Sequence, residues 1–260
     1  MKILFLGDIV GPLGREAVKS FLSQNHFDFV IANGENTTHG HGLSNKHYNE
    51  LLSYGIDCIT SGNHFFNSRD PFHPEFDFSK QVRPYNLDKS CPGLGTNVFL
   101  AHNGEKIRVT NLLGRVFTGT MAQSNPFTDL DEICSLDDYP IIHIVDFHAE
   151  ATAEKRCLAE YAGSKLTAII GTHTHVQTND AKILTNGAFF LTDAGMNGAY
   201  DSCLGDEKDG PIKRTMTGLP AEMIVPRIGE AMLNGVILEV DTTSKKVISY
   251  SLVNKIEASV

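Results

Sequence analysis

Short apolar runs, each followed by a polar loop, organise the N-terminal part of the chain. The runs cover Lys2–Leu6, Phe27–Ala32 and Ile56–Thr60. Between them, apolar residues recur at helical spacing over about Gly14–Gln24 and Asn45–Tyr54. Buried strands that alternate with amphipathic helices are typical of repeated βα units, so this part is predicted to form a largely parallel sheet.

The alternation resumes after a stretch at Asn67–Pro92 that is predicted to be irregular. Thr96–Ala101 and Lys106–Leu112, joined through Asn103-Gly104, predict a β-hairpin. The further predicted elements are a short helix within Pro126–Asp138, a helix at Glu150–Tyr161, strands at Ile141–Val145, Leu166–Ile170, Ile183–Leu184, Ala188–Leu191, Val236–Val240 and Lys246–Val253, and a loop with a short helix over Thr192–Leu219. No internal repeat or linker appears, which predicts one domain over residues 1–260.

Two histidines one residue apart, His173 and His175, follow the run at Leu166–Ile170. In an extended segment alternate residues point to the same side, so both imidazoles are predicted to face one site. Imidazole is the commonest side-chain metal ligand. This stretch is therefore a candidate for half of a metal site.

Side chains of metal-ligand type follow the other apolar runs as well. They are Asp8, Glu35, Asn36, Asn63, His64 and His148. In open α/β sheets the ligand site lies beyond the carboxyl ends of the strands, where these residues would converge. Each one alone also has a structural explanation, such as a helix cap for Asp8 or an Asx-turn for Asn36. Their recurrence at consecutive strand ends favours a shared metal site.

The donor set fits two metal ions better than one. It exceeds what a four-coordinate zinc site accepts, and it offers no thiolate. Oxygen and imidazole donors suit Fe, Mn or Zn, and the sequence leaves that choice open. Two ions about 3.5–4 Å apart can share a bridging carboxylate and ionise a water near neutral pH, which suits in-line attack at phosphorus. His64, directly after Asn63, is then the candidate general acid for the leaving oxygen.

Charge and cysteine content narrow the range of partners and locations. The net charge of −9 disfavours an extended nucleic-acid surface, but it permits a small phosphate-bearing substrate whose charge a metal meets locally. The five cysteines form no C-x-x-C pair, which predicts a reducing, cytoplasmic location without disulfides. No apolar run approaches the ~20 residues of a membrane span, so no membrane partner is expected. Homo-oligomerisation is left open.

Five motifs resemble those of the calcineurin-like metallophosphoesterases, and more narrowly those of the bacterial YmdB-like 2′,3′-cyclic nucleotide 2′-phosphodiesterase family. The motifs are Gly-Asp-Ile-Val-Gly from Gly7, Asn-Gly-Glu-Asn from Asn33, Gly-Asn-His from Gly62, Asp-Phe-His-Ala-Glu-Ala-Thr from Asp146, and Gly-Thr-His-Thr-His-Val-Gln-Thr from Gly171. The resemblance extends from the first residue to about residue 250. It implies a four-layer α/β sandwich of two facing mixed β-sheets flanked by helices.

The resemblance also implies a dinuclear centre, of iron or a similar metal, and assigns its ligands. The first ion would be held by Asp8, Glu35, Asn36 and His175. The second would be held by Glu35, Asn63, His148 and His173. Glu35 would bridge the two ions, and His64 would be the proton donor. The implied substrate is a small phosphoester, with a 2′,3′-cyclic nucleotide as the family-based expectation.

Five other polar residues are candidates for a role, and three of them have two interpretations each. His39 and His41 form a second His-x-His pair between glycines, which favours a surface loop over metal ligation, with substrate contact as the alternative. Arg115 could bind a phosphate or form a surface ion pair. Asp193 and Asp201 are candidate partners that orient the histidines.

The leading hypothesis is a dinuclear-metal phosphodiesterase that hydrolyses the 2′ bond of 2′,3′-cyclic nucleotides through a metal-bridging hydroxide, with His64 as general acid. A phosphomonoesterase that uses the same centre is one alternative, because the metals and the water are indifferent to the rest of the ester. A non-catalytic regulator that binds metal and nucleotide is another. The zinc amidohydrolases also use a His-x-His pair, but theirs comes early in the chain with the essential Asp late. Here Asp8 comes first and the pair follows at His173.

Overall fold

The computed structural model describes residues 1–119, 121–137 and 140–257. Its helices are α1 Gly11–Gln24, α2 Asn45–Ser53, α3 Pro126–Cys134, α4 Thr152–Ala162 and α5 Asp209–Thr217. Its strands are β1 Lys2–Ile9, β2 Phe29–Asn33, β3 Cys58–Thr60, β4 Gln81–Val82, β5 Thr96–Leu100, β6 Lys106–Leu113, β7 Ile142–His148, β8 Ala168–Thr172, β9 Lys182–Ile183, β10 Phe189–Leu191, β11 Met196–Ala199, β12 Ala231–Asp241 and β13 Lys246–Glu257.

The strands form two mixed sheets. One has the order β13-β12-β11-β1-β2-β3-β4, with parallel pairing from β11 to β4 and antiparallel pairing at β12 and β13. The other has the order β5-β6-β7-β8-β10-β9, parallel in its centre and antiparallel at both edges. The antiparallel pairing of β5 with β6 confirms the predicted hairpin.

Alternate residues of the central strands point to opposite sides of each sheet and bury different cores. In β1, Ile3 and Phe5 pack between the two sheets, whereas Leu4 and Leu6 face α1 and α2. In the second sheet, Ile144 lies in the shared core, and the outward residues of β7 pack against α3 and α4. The layers therefore run helix, sheet, sheet, helix, which confirms the predicted four-layer α/β sandwich.

One element differs from the prediction. The segment Thr192–Leu219 contains α5 as expected, but it also contains β11, which pairs in parallel with β1 so that Asp8 stands opposite Met196. The run Met-Asn-Gly-Ala has little intrinsic strand character, so β11 exists because β1 and β12 offer partners on both sides.

The remaining differences are small. Residues 67–92 are largely irregular as predicted, with β4 and two turns of 3-10 helix that extend over residues 65–72. The predicted helix within Pro126–Asp138 is α3, and Asp138 itself lies outside the described residues. In the described parts of the chain, no helix combines the length and the apolar character that a membrane span requires.

Candidate metal centre

The ends of five strands bring the predicted residues to one edge of the sandwich. Strand register places Asp8 opposite Asn33 in the first sheet and His148 opposite Thr172 in the second. The loops after β2, β3 and β8 then carry the remaining candidates, which are Glu35, Asn36, Asn63, His64, His173 and His175. Because the two sheets face each other, donors from both converge on one site.

Glu35, His148 and His173 form the centre of this site, with ligand atoms that all lie within 4.8 Å of one another. His148 Nε2 lies 2.9 Å from Glu35 Oε1 and 3.0 Å from His173 Nδ1. The same Nε2 lies 2.9 Å from Asn63 Oδ1. The four predicted ligands of the second ion are therefore brought together around one atom.

Gly62 allows the loop after β3 to lie against Glu35 and His148. A Cβ atom at this position would lie 2.2 Å from Glu35 Oε2 and 2.4 Å from His148 Nε2, closer than real side chains tolerate. The loop after β3 can therefore pass directly behind the carboxylate. The His64 backbone N–H, two residues later, donates to Glu35 Oε2 at 3.0 Å.

A buried network fixes the orientation of the His148 ring. The Thr172 hydroxyl donates to Asp146 Oδ1 at 2.7 Å and accepts from His148 Nδ1 at 2.9 Å. The Asn33 amide and the Thr60 hydroxyl donate to the other oxygen of Asp146. Because the Thr172 proton is committed to the carboxylate, the Nδ1 proton stays on His148, and Nε2 is the atom that can ligate a metal.

A second cluster joins Asp8 and His175. His175 Nδ1 donates to the backbone carbonyl of Leu204 at 2.8 Å, which turns Nε2 toward Asp8 Oδ1 at 3.8 Å. A carbonyl oxygen can only accept, so this contact leaves the Nε2 lone pair free for a metal. The two histidines thus face different carboxylates: His175 lies near Asp8, and His173 lies near Glu35, with its Nε2 3.2 Å from Glu150 Oε2.

The backbone around the pair differs from the predicted extended segment. Strand β8 ends at Thr172, and both histidines have positive φ, 100° for His173 and 64° for His175. The alternation argument for the direction of the two rings was therefore wrong, although both rings line the same cavity. Left-handed backbone at non-glycine residues is costly and requires support from the surroundings.

That support comes from two buried carboxylates. Asp8 Oδ2 accepts from the His173 backbone N–H at 3.1 Å, and Asp193 Oδ2 accepts from the Thr174 N–H at 3.0 Å. Asp193 is paired in turn with Lys155 Nζ at 2.8 Å, and both side chains are almost completely buried. Asp193 therefore stabilises the loop that carries the two histidines by accepting a hydrogen bond from the backbone of that loop. Asp201, the other candidate, pairs with Lys208 at the surface.

Two buried oxygen atoms of the site accept no hydrogen bond from any residue that the structure describes. They are Asp8 Oδ1 and Asn36 Oδ1, and both are inaccessible to solvent. Asn36 Nδ2 donates to the Gly40 carbonyl at 2.8 Å, so the orientation of its amide is fixed. Buried acceptors without donors are costly, and a cation would satisfy them. Together with the oriented imidazoles, these atoms fit a pair of metal ions.

The charges of the centre are strongly perturbed by burial and by one another. Burial raises the pKa of Asp8 to about 6, against the attraction of His175 and His148. Burial also favours a raised pKa for Glu35, but His148 outweighs it and lowers the pKa to about 2. The carboxylates in turn overcome the burial of His148 and raise its pKa to about 9. Without metal, a proton on His148 offsets part of the negative charge of the two carboxylates, and a metal ion would replace that proton.

A cavity of about 450 Å³ opens in front of the centre. Its inner wall includes Glu35, Asn36, His173 and His175. His64 lies in its side wall and stacks on His41, with ring centroids 4.5 Å apart. A volume of this size accommodates a small organic ligand rather than an ion alone.

A family model described as YmdB-like protein matches residues 4–253. The chain belongs to the YmdB-like family. It is 41% identical, over 95% of its length and 94% of the relative, to a 2′,3′-cyclic-nucleotide 2′-phosphodiesterase of Bacillus subtilis strain 168. A crystal structure described as a novel phosphatase from Mycoplasma pneumoniae is 40% identical, with a TM-score of 0.90 over 99% of this chain and 94% of that one. A hypothetical protein from Thermus thermophilus is 32% identical, with a TM-score of 0.91 over 99% and 100% of the two chains.

The residues of this YmdB-like chain that had two interpretations each take different positions relative to the cavity. Arg115 does not line the cavity, and its backbone N–H donates to Glu154. His41 is exposed on a loop, as expected, but it faces the cavity, whereas His39 packs near His47 outside it. Arg214, on α5, was not singled out from the sequence, and it does line the cavity.

Proposed function

We propose that this YmdB-like protein hydrolyses the 2′ ester bond of 2′,3′-cyclic nucleotides at a dinuclear metal centre. It is a phosphoric ester hydrolase, the class to which its named relatives belong. The observation that carries the metal-dependent mechanism is a pair of buried oxygens, on Asp8 and Asn36, that accept no hydrogen bond from the described residues and lie beside the Glu35–His148–His173 cluster. Buried oxygens without donors cost free energy, and bound cations would remove that cost.

The geometry supports the two ligand groups expected from the family. Asp8, Asn36 and His175 would hold one ion, and Asn63, His148 and His173 would hold the other. Glu35 would serve both. Iron is the proposed metal, with manganese or zinc as alternatives that the same donors accept. Bound metal ions supply an ionised water near neutral pH and positive charge that neutralises the phosphate.

His64 is proposed to give a proton to the departing 2′ oxygen. Burial lowers the pKa of His64, while Glu35 favours its protonated form. The negative charge of a bound phosphate adds to the effect of Glu35 and favours the imidazolium. As the bond from phosphorus to the 2′ oxygen breaks, the proton neutralises that oxygen, and the product is a nucleoside 3′-monophosphate.

A phosphomonoesterase is the second candidate, because a Mycoplasma pneumoniae relative is described as a phosphatase. The centre acts on the phosphate, so the cavity wall has to distinguish a cyclic diester from a monoester.

The five cysteines are all free, which supports the proposed reducing, cytoplasmic location.

The test compares metal-loaded protein on 2′,3′-cyclic AMP and on 3′-AMP, with product identification by chromatography. The proposal expects 3′-AMP to accumulate from the cyclic diester and to be hydrolysed much more slowly. Faster hydrolysis of the monoester would favour the phosphatase. Tight nucleotide binding without turnover with iron, manganese or zinc would favour a non-catalytic regulator and would refute the enzyme mechanism.

A further inference from the structure

The outer wall of the cavity is formed by an arm, residues 203–225, that leaves the sandwich after β11 and returns before β12. The arm contains α5, in which no residue is buried. A helix that contributes nothing to a core is not needed there for folding. Its position over the candidate centre therefore calls for a functional explanation.

The arm is held at its start by His175 of the candidate centre and at both ends by residues that follow Asp8 or Asn36 in the chain. At its start, the Leu204 carbonyl accepts from His175, and Gly205 comes so close to Val10 that a Cβ atom would lie 2.7 Å from Val10 Cγ1. At its end, Val225 packs on Gly11 and Gly40, where added Cβ atoms would lie 2.3 and 2.7 Å from its methyl groups. Inside the arm, the Glu207 N–H donates to the Ile224 carbonyl at 2.7 Å. The arm is thus fixed rather than loosely attached.

One face of α5 is turned to the cavity. Pro211, Arg214 and Thr215, at positions i, i+3 and i+4, line it together with His41 and His64. Arg214 is the only lysine or arginine among the described residues that line this cavity. Its guanidinium forms no ion pair with any described residue, in a chain whose net charge is −9.

We propose that Arg214 binds a second phosphate group of the substrate, distinct from the phosphate that is hydrolysed. This inference rests on the proposed function, which places the reacting phosphate at the metal ligands on the inner wall. The planar guanidinium fork matches two phosphate oxygens, and Arg214 lines the same cavity from α5 rather than from the strand-end loops that carry the proposed ligands. The preferred substrates are then 2′,3′-cyclic nucleotides that carry a further phosphate. These are nucleotides with a phosphate on the 5′ oxygen, or short oligonucleotides that end in the cyclic phosphate.

Calorimetric binding of two probes to the manganese-loaded full chain tests the inference. The probes are adenosine 3′-monophosphate, the product of the proposed reaction, and adenosine 3′,5′-bisphosphate, which adds one phosphate. A charge-assisted contact of this kind corresponds to about a 10- to 100-fold gain in affinity for the bisphosphate. The ratio of the two affinities should fall toward one in Arg214→Ala. It should recover in part in Arg214→Lys, which keeps the positive charge but lacks the planar guanidinium fork.

Lys213→Ala is the matched control, because Lys213 is the neighbouring cation of α5 and lines a different depression, with Asp209 and Glu222. It should leave the ratio of the two affinities unchanged. A wild-type ratio near one, or a ratio that persists in Arg214→Ala, would overturn the inference. Equal weakening of both probes in Arg214→Ala would do the same, since it would indicate contact with the nucleoside. Failure of the proposed function is a separate result, the absence of turnover of 2′,3′-cyclic AMP, and the affinity ratio can be measured regardless of it.

Discussion

Replacement of Lys155 by Met should destabilise the protein strongly, although Lys155 does not line the cavity in front of the candidate centre. Its ammonium donates to Asp193 Oδ2 and to the Thr172 carbonyl, each at 2.8 Å, and neither side chain of the ion pair is more than 1% exposed. The variant leaves the Asp193 carboxylate buried without its counter-charge, which costs about 3–5 kcal/mol. At about 2–4 °C per kcal/mol for a domain of this size, Tm should fall by roughly 6–20 °C.

Chemical denaturation of the metal-free protein measures the loss directly. Asp193→Asn should also destabilise, because it leaves the Lys155 ammonium without its counter-charge. The double variant should cost less than the sum of the two single variants, since the two uncompensated charges disappear together. Lys165→Met is the matched control, because Lys165 pairs with Asp131 at 2.6 Å at the surface, and we expect little change there. Additive costs in the double variant, or a loss in Lys155→Met no larger than in the control, would show that the buried pair does not stabilise the protein in this way.

Three further predictions concern the centre and its surroundings. His64→Ala should retain the metal content of the wild type but lose about 100-fold or more in kcat on 2′,3′-cyclic AMP, and full activity would remove its role as general acid. Gly62→Ala should lose metal in elemental analysis while its circular dichroism stays native, because the added Cβ meets Glu35 Oε2 at 2.2 Å and His148 Nε2 at 2.4 Å; wild-type metal content would contradict this. Burial, with Arg108 nearby, lowers the pKa of His143 from 6.5 to about 3, so the folded state keeps the ring neutral while the unfolded state takes up a proton as pH falls through 6.5. The free energy of unfolding should therefore decline between pH 6.5 and pH 3. Measured by urea denaturation, His143→Gln should remove about 2 kcal/mol of the decline between pH 7 and pH 5. Parallel pH profiles of the wild type and the variant would contradict this prediction.

The sequence was sufficient to predict the strand ends that build the site, because period and polarity are local properties. Asp8 and His148 each lie at the end of a buried strand, and register then determines which residues face each other. The layer order follows from the same alternation, as Ile3 and Leu4 in β1 show. Which candidate ligands converge was thus predictable, whereas their assignment to individual ions stays a prediction.

Features that depend on distant partners could not be predicted in this way. The positive φ of His173 is set by Asp8 and by the Lys155–Asp193 pair, which are remote in sequence. Strand β11 forms because two neighbours flank it, and its own composition is that of a loop. Arg214 gave no local signal, because only the anchoring of the arm at both ends turns α5 toward the cavity.

The chain is proposed to hold two metal ions, with Glu35 as a ligand of both. Elemental analysis of anaerobically purified protein, wild type beside Glu35→Ala, tests it most directly. We expect two metal ions per chain in the wild type and the loss of both in the variant. One ion or none in an active wild type, or two ions retained by Glu35→Ala, would contradict it.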